Sequence, residues 1–121
     1  MKDKKTLVLG ASTNPSRYSY LAIKKLLAHN HTIVAVGRKP GIVGPINIAT
    51  QIQEVDQLDT VTLYLNPQNQ IPYYQQILSL KPKRIIFNPG TENEEFEAMA
   101  EQKGIEVLEA CTLVMLSTGQ Y

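Results

Sequence analysis

The sequence is poor in the residues that staple a fold, ligate metals or span a membrane. A single cysteine, Cys111, cannot form an internal disulfide, and this predicts a reducing, cytoplasmic setting. The two histidines, His29 and His31, sit on one short segment, so with one cysteine they make no zinc-ligand set and no metal is expected. No apolar run is long enough for a bilayer, which argues against a membrane. Met1-Lys2-Asp3-Lys4-Lys5 leads straight into a strand-like run and lacks the pattern of a signal peptide. With 12 Lys and Arg against 11 Asp and Glu, the net charge of +1 argues against a dominant polyanion partner such as DNA or RNA. What is left is 121 residues, 43% hydrophobic, read as one soluble domain over 1–121 that can bury its own core.

The informative stretch is Thr6-Leu7-Val8-Leu9-Gly10-Ala11-Ser12-Thr13-Asn14-Pro15-Ser16-Arg17. It opens as a short aliphatic run, the pattern of a strand buried on both faces, and stops at a glycine. Apolar residues then recur at 20, 23, 26 and 27 opposite Lys24 and Lys25, which is helical spacing. A strand, a Gly-Ala-Ser turn and a helix together aim backbone N–H groups and a helix N-terminus at an anion. The bland reading is an ordinary connection in which glycine permits the turn and serine caps the helix. A full dinucleotide fingerprint needs glycine two and five residues after Gly10, where this chain has Ser12 and Pro15. The position of the turn, after the first strand, favours the phosphate reading.

Further strands are read at Thr32–Val36, Asp59–Leu65, Arg84–Phe87 and Ile105–Leu108, making five. Helices are expected at Ile71–Leu78 and Glu92–Lys103, with a final helical turn or two at Cys111–Leu116. Tyr73 and Tyr74 are read as packing residues. The segment Ile42–Leu58, broken at Gly44-Pro45, is read as a loop with a short irregular element. His29 and His31 are placed on the surface, near the first helix's C-terminus and away from Gly10. Alternating strands and helices imply an α/β fold with a mostly parallel five-stranded sheet covered on both faces.

Strand two runs into Gly37-Arg38-Lys39-Pro40-Gly41, two cations where an NAD site carries an acid for the ribose. This suits an extra phosphate on the ribose; a solvated charged turn is the alternative. The strand ends Gly10-Ala11-Ser12, Asn66-Pro67 and Asn88-Pro89-Gly90 fall on one edge of the sheet, where open α/β sheets bind ligands. None of these stretches holds a nucleophile–base pair, carboxylate dyad or metal cluster, so no enzyme activity is expected.

These residues resemble a family. Val8-Leu9-Gly10-Ala11-Ser12, Asn14-Pro15-Ser16-Arg17 with Ser19, the basic turn before Gly44, Gly90 with Asn93-Glu94, Lys103-Gly104-Ile105-Glu106-Val107 and Cys111 are similar to the small stand-alone CoA-binding proteins. Their fold is like that of the nucleotide-binding domain of the succinyl-CoA synthetase alpha subunit. The resemblance covers nearly the whole chain. It implies a three-layer Rossmann-like domain that holds coenzyme A, free or acylated, by its nucleotide end. Gly10 and Ser12 would hold the diphosphate with Ala11, Thr13, Asn14 and Arg17 around them. Lys39 would approach the ribose 3′-phosphate beside Gly37 and Arg38, and Asn66, Pro67, Asn88, Pro89 and Gly90 would line the rest of the groove. The chain departs from the family pattern at Gly37-Arg38, at Ile86 and Asn88, and at Glu109-Ala110. Two rival functions stay open: an NADP-dependent reductase fragment, and a regulatory module that has lost its ligand. Either a homo-oligomer or an unidentified protein partner is compatible with the sequence. Cys111 is expected to be structural, the rival being a thiol that forms a mixed disulfide with CoA.

Overall fold

The computed structural model describes residues 2–121. Its elements, in chain order, begin with β1 (Thr6–Leu9), α1 (Tyr18–Ala28) and β2 (Ile33–Val36). A hairpin of β3 (Gly41–Val43) and β4 (Ile46–Ala49) follows, then β5 (Thr60–Leu63). Next come α2 (Pro67–Gln70), a 3-10 turn at Ile71–Tyr73 and α3 (Tyr74–Leu80). The chain finishes with β6 (Arg84–Phe87), α4 (Glu94–Gln102), β7 (Glu106–Glu109) and α5 (Thr112–Ser117).

The sheet has seven strands in the order β3-β4-β2-β1-β5-β6-β7, and only β3 runs antiparallel to its neighbour. The α/β class and the mostly parallel sheet stand; the strand count of five is corrected to seven. The two extra strands come from the segment read as a loop. Val43 and Ile48 point inward while Ile42 and Asn47 are exposed, a period-two pattern joined by Gly44-Pro45. Gly44 turns there with φ +59, a conformation that glycine adopts without steric cost. The strands are three and four residues long, too short for alternation to stand out beside a proline.

Each inner strand feeds two cores because its side chains alternate. Leu7, Leu9, Leu63 and Phe87 face one way, against Ile77 of α3 and Phe96 of α4. Val8, Ala35 and Ile86 face the other, against Ile23 and Leu26 of α1 and Met115 and Leu116 of α5. β1, β5 and β6 are buried along their whole length, which is why Leu7-Val8-Leu9 and Ile85-Ile86-Phe87 are unbroken apolar runs, while the buried Thr60 and Thr62 of β5 bond to Arg84 and Thr112. In place of the single helix expected at Ile71–Leu78 the chain makes the 3-10 turn and then α3, because Pro72 restarts the chain inside it. Tyr74 is buried and stacks on Phe96 at 4.4 Å.

The chain leaves β1 toward β2 on one side and later returns to β5 on the other. The carboxyl ends of β1 and β5 therefore form the switch point of the sheet, where a crevice opens. His31 is a second correction. It is 4% exposed rather than on the surface, and it lies at the other edge of the sheet, just before β2.

Candidate functional site

A cleft of about 640 Å³ lies over the switch point. Its floor is the turn after β1. Gly10 has φ +96, and a Cβ there would sit 3.0 Å from the Tyr64 carbonyl group, so the turn and the end of β5 meet only across a glycine. The Gly10 and Ala11 N–H groups both donate to the Val36 carbonyl at 2.9 Å. Those two amides are thus spent on the fold. The next two, of Ser12 and Thr13, find no acceptor among the described residues. Ser12 Oγ accepts from Asn14 N–H at 3.0 Å, and Asn14 Oδ1 accepts from Ser16 N–H at 3.0 Å. This chain of side-chain turns carries the backbone into α1.

α1 begins without a side-chain cap on Arg17, and its first two residues, Tyr18 and Ser19, form part of the cleft wall. An uncapped helix start carries unpaired donors and the positive end of the helix dipole. Arg17, Arg38 and Lys39 stand exposed around it, and the lining includes no Asp or Glu. The cleft is therefore ringed by cations with no carboxylate to balance them.

The far wall is held by buried amides. Gln70, fully buried, donates to the Leu65 carbonyl at 2.9 Å and the Thr91 carbonyl at 2.8 Å, and it accepts from Asn93 Nδ2 at 2.9 Å. It ties the loop after β5 to the loop after β6. Tyr64 is also among the lining residues, and its hydroxyl is buried and without a partner. Burial pushes that phenol up to about 12, so it stays protonated at neutral pH.

Of the residues expected to contact a ligand, Gly10, Ala11, Ser12, Thr13, Arg17, Arg38, Lys39, Asn66, Pro89 and Gly90 come together on the cleft. Four do not. Asn14 organises the turn from outside. Pro67 occupies the first position of α2 behind its cap, Asn66, whose Oδ1 accepts from Asn69 N–H. Gly37 is buried against the turn: a Cβ there would lie 2.2 Å from the Ala11 carbonyl oxygen. Asn88 is 2% exposed and fully engaged, donating to Thr62 Oγ1 and the Leu63 carbonyl and accepting from Thr112 N–H. Its place at a strand end suggested a ligand contact, but its side chain turns inward to tie β5, β6 and α5.

Tyr18, Pro40, Tyr64, Leu65, Asn69 and Thr91 line the cleft without having been singled out for it, as does Ser19. Tyr18 and Ser19 were findable as the first residues of a helix that follows a phosphate-type turn. The others depend on how the loops fold back. Cys111 is half-buried just before α5 and does not line the cleft. Among the described residues no group of three or more His, Cys, Asp or Glu is placed to hold a metal ion. Among the same residues no helix is long and apolar enough to cross a membrane.

Fold and cleft together define a Rossmann-like α/β domain with a cationic, carboxylate-free crevice at its switch point. The chain belongs to the family of CoA binding domains, whose model matches residues 4–117. Membership implies a small-molecule ligand of the CoA type. The crystal structure of an uncharacterized protein matches over 100% of both chains, with 53% identity and a TM-score of 0.97. A hypothetical protein from Pyrococcus horikoshii OT3 matches at 24% identity and TM-score 0.87, over 97% of this chain and 84% of its own. A Thermus thermophilus protein matches at 19% identity and TM-score 0.85, over 98% and 91%. These last two are alike in fold alone. No curated protein matches the chain.

Proposed function

We propose that the protein binds coenzyme A, free or acylated, in this cleft without catalysing a reaction on it. The observation that carries the reading is the uncapped start of α1 beside the unpaired Ser12 and Thr13 amides, ringed by Arg17, Arg38 and Lys39. The amides and the helix start suit a diphosphate, which takes several N–H donors at once. Arg38 and Lys39, at the end of β2, suit the ribose 3′-phosphate. The absence of His, Cys, Asp and Glu from the lining supports holding rather than turnover.

The test is calorimetric titration with CoA, acetyl-CoA, dephospho-CoA and NADP. CoA and acetyl-CoA are expected to bind alike, and dephospho-CoA about tenfold more weakly for want of one charge-assisted contact. NADP binding more tightly than CoA would favour the reductase-type reading, and no binding by any of the four would sink both.

A further inference from the structure

At the sheet edge opposite the cleft lies a second, smaller cavity of about 190 Å³, lined by Lys2, Lys4, His29, His31, Leu116 and Tyr121, with Gly119 beside them. His31 is the unusual member. Its side chain is 1% exposed. Its Nδ1 accepts the Lys4 backbone N–H at 2.9 Å, which puts the ring proton on Nε2. Burial pushes its pKa down, so the ring is neutral and Nε2–H is a fixed donor. That donor is buried and has no acceptor among the described residues. Buried polar groups seldom stay unpaired, so the position invites an acceptor from outside the chain.

The surroundings say which acceptor. The charged and titratable groups facing His31 are Lys4, His29, Arg84 and Asp3. Asp3 is already occupied, accepting from both the backbone N–H and the hydroxyl of Thr32. The Lys4 ammonium donates to the Tyr121 carbonyl at the cavity wall, and Lys2 stands exposed beside it. Arg84 lies 4.4 Å from the Tyr121 ring, and its Nη2 is likewise unpartnered. Arg84 is balanced by Asp59, 3.9 Å from its Nε, and Asp3 is taken up by Thr32, so the charges lining the cavity are those of Lys2 and Lys4, with no acid among them, and they favour a negative acceptor. The remaining lining is apolar: the Leu116 side chain and the Tyr121 ring, the latter 5.0 Å from the imidazole.

We propose that this cavity is a second binding site, separate from the cleft, for a small carboxylate with a short hydrocarbon body. One carboxylate oxygen accepts from His31 Nε2–H, the charge lies beside Lys2 and Lys4, and the hydrocarbon packs on Leu116 and Tyr121. The cavity has less than a third of the cleft's volume, which excludes a nucleotide. This site does not depend on what the cleft binds.

Butyrate is the probe, titrated to tens of millimolar at neutral pH and constant ionic strength. The readouts are the His31 Nε2 resonance and the Lys4 and Tyr121 amides in nitrogen-15-labelled protein. The expected result is a saturable shift with a millimolar midpoint, no such shift with butanol, and a severalfold weaker midpoint in Lys2→Ala. His31→Phe should remove saturation at the amides. His31→Gln should retain it, since a primary amide both accepts from Lys4 and donates outward. A shift that climbs linearly, that butanol reproduces, or that survives His31→Phe would overturn the proposal and leave a water as the partner of Nε2. If His31→Phe does not fold, the wild-type titration, its butanol control and Lys2→Ala decide the matter.

Discussion

Gly37→Ala tests the geometry on which the cleft depends. The added Cβ would stand 2.2 Å from the Ala11 carbonyl oxygen and 3.1 Å from its carbon. A carbon and a carbonyl oxygen approach no closer than about 3.3 Å even in a favourable C–H···O contact, so one must retreat by roughly 1 Å. Neither is free to do so. Gly37 N–H donates to the Ala49 carbonyl, and the Gly10 and Ala11 amides share the Val36 carbonyl just before it. Gly37 does not have positive φ, so backbone strain adds nothing and the whole effect is steric. Overpacking costs about 1–3 kcal/mol. Losing one of these bonds adds about 1 kcal/mol, for a total near 3 kcal/mol. At roughly 4 °C per kcal/mol for a domain of this size, Tm should fall by about 12 °C. Because the Ser12 and Thr13 amides follow Ala11, CoA affinity should fall at least tenfold in the same protein. Gly104→Ala is the control: φ is +79 but nothing lies within 4 Å of its Cβ. It should cost about 1–2 kcal/mol of backbone strain and leave CoA affinity alone. Scanning calorimetry and titration of both variants check this. A Gly37→Ala protein that melts and binds like wild type would refute the argument.

The elements that were legible in the sequence are those whose pattern is local. β1 and β6 each carry three consecutive apolar residues, Leu7-Val8-Leu9 and Ile85-Ile86-Phe87, because both faces of the sheet are covered, and α4 is bounded by Asn93, whose side chain caps Phe96 N–H, and by Gly104. The cleft was legible as far as chain order places strand ends on one edge. What the sequence concealed is side-chain direction. Asn88 and Ser12 are both small polar residues just past a strand, yet Asn88 turns inward to join β5 to α5 while Ser12 stays at the cleft. His31 reads as a residue between helix and strand, and only the return of the chain at Tyr121 buries it. The hairpin was missed for another reason: its alternation covers too few residues to stand out from Gly44-Pro45. Local periodicity reports the burial of an element, whereas contacts between distant segments decide which polar residues reach a ligand.

Ser12→Glu should fold and lose CoA binding, since it sets a carboxylate beside the two free amides; a folded variant with wild-type affinity would move the ligand elsewhere. Asn88→Ala should cost about 3 kcal/mol in a urea melt, because it orphans Thr112 N–H and the Leu63 carbonyl, while CoA affinity changes little in calorimetry. Lys39→Ala should weaken CoA about tenfold and leave dephospho-CoA nearly unchanged, with the gap narrowing as salt is added; equal loss for both ligands would reduce the basic turn to a solvated loop. The pH dependence of stability follows from His31. Burial lowers its folded pKa below the ordinary 6.5, so the unfolded chain takes up the proton first. The contribution of the neutral ring is complete above about pH 6.5 and is lost as pH falls below it, through the folded value. One proton limits the slope to about 1.4 kcal/mol per pH unit. Asp3 is lowered by its bonds to Thr32 and acts only in the range of its own titration, below its ordinary 3.8. Burial raises Glu97 above its ordinary 4.5, a contribution of the opposite sign that wild type shares with a His31 variant, so the difference between the two across the window between pH 6.5 and 5 belongs to His31. Urea melts across that window in carboxylate-free buffer should show wild type losing stability as the pH drops. His31→Gln keeps the Lys4 contact without a titrating ring, and its profile should be flatter by up to that slope; parallel profiles would mean that the imidazole titrates alike folded and unfolded, and that its burial costs the protonated form nothing.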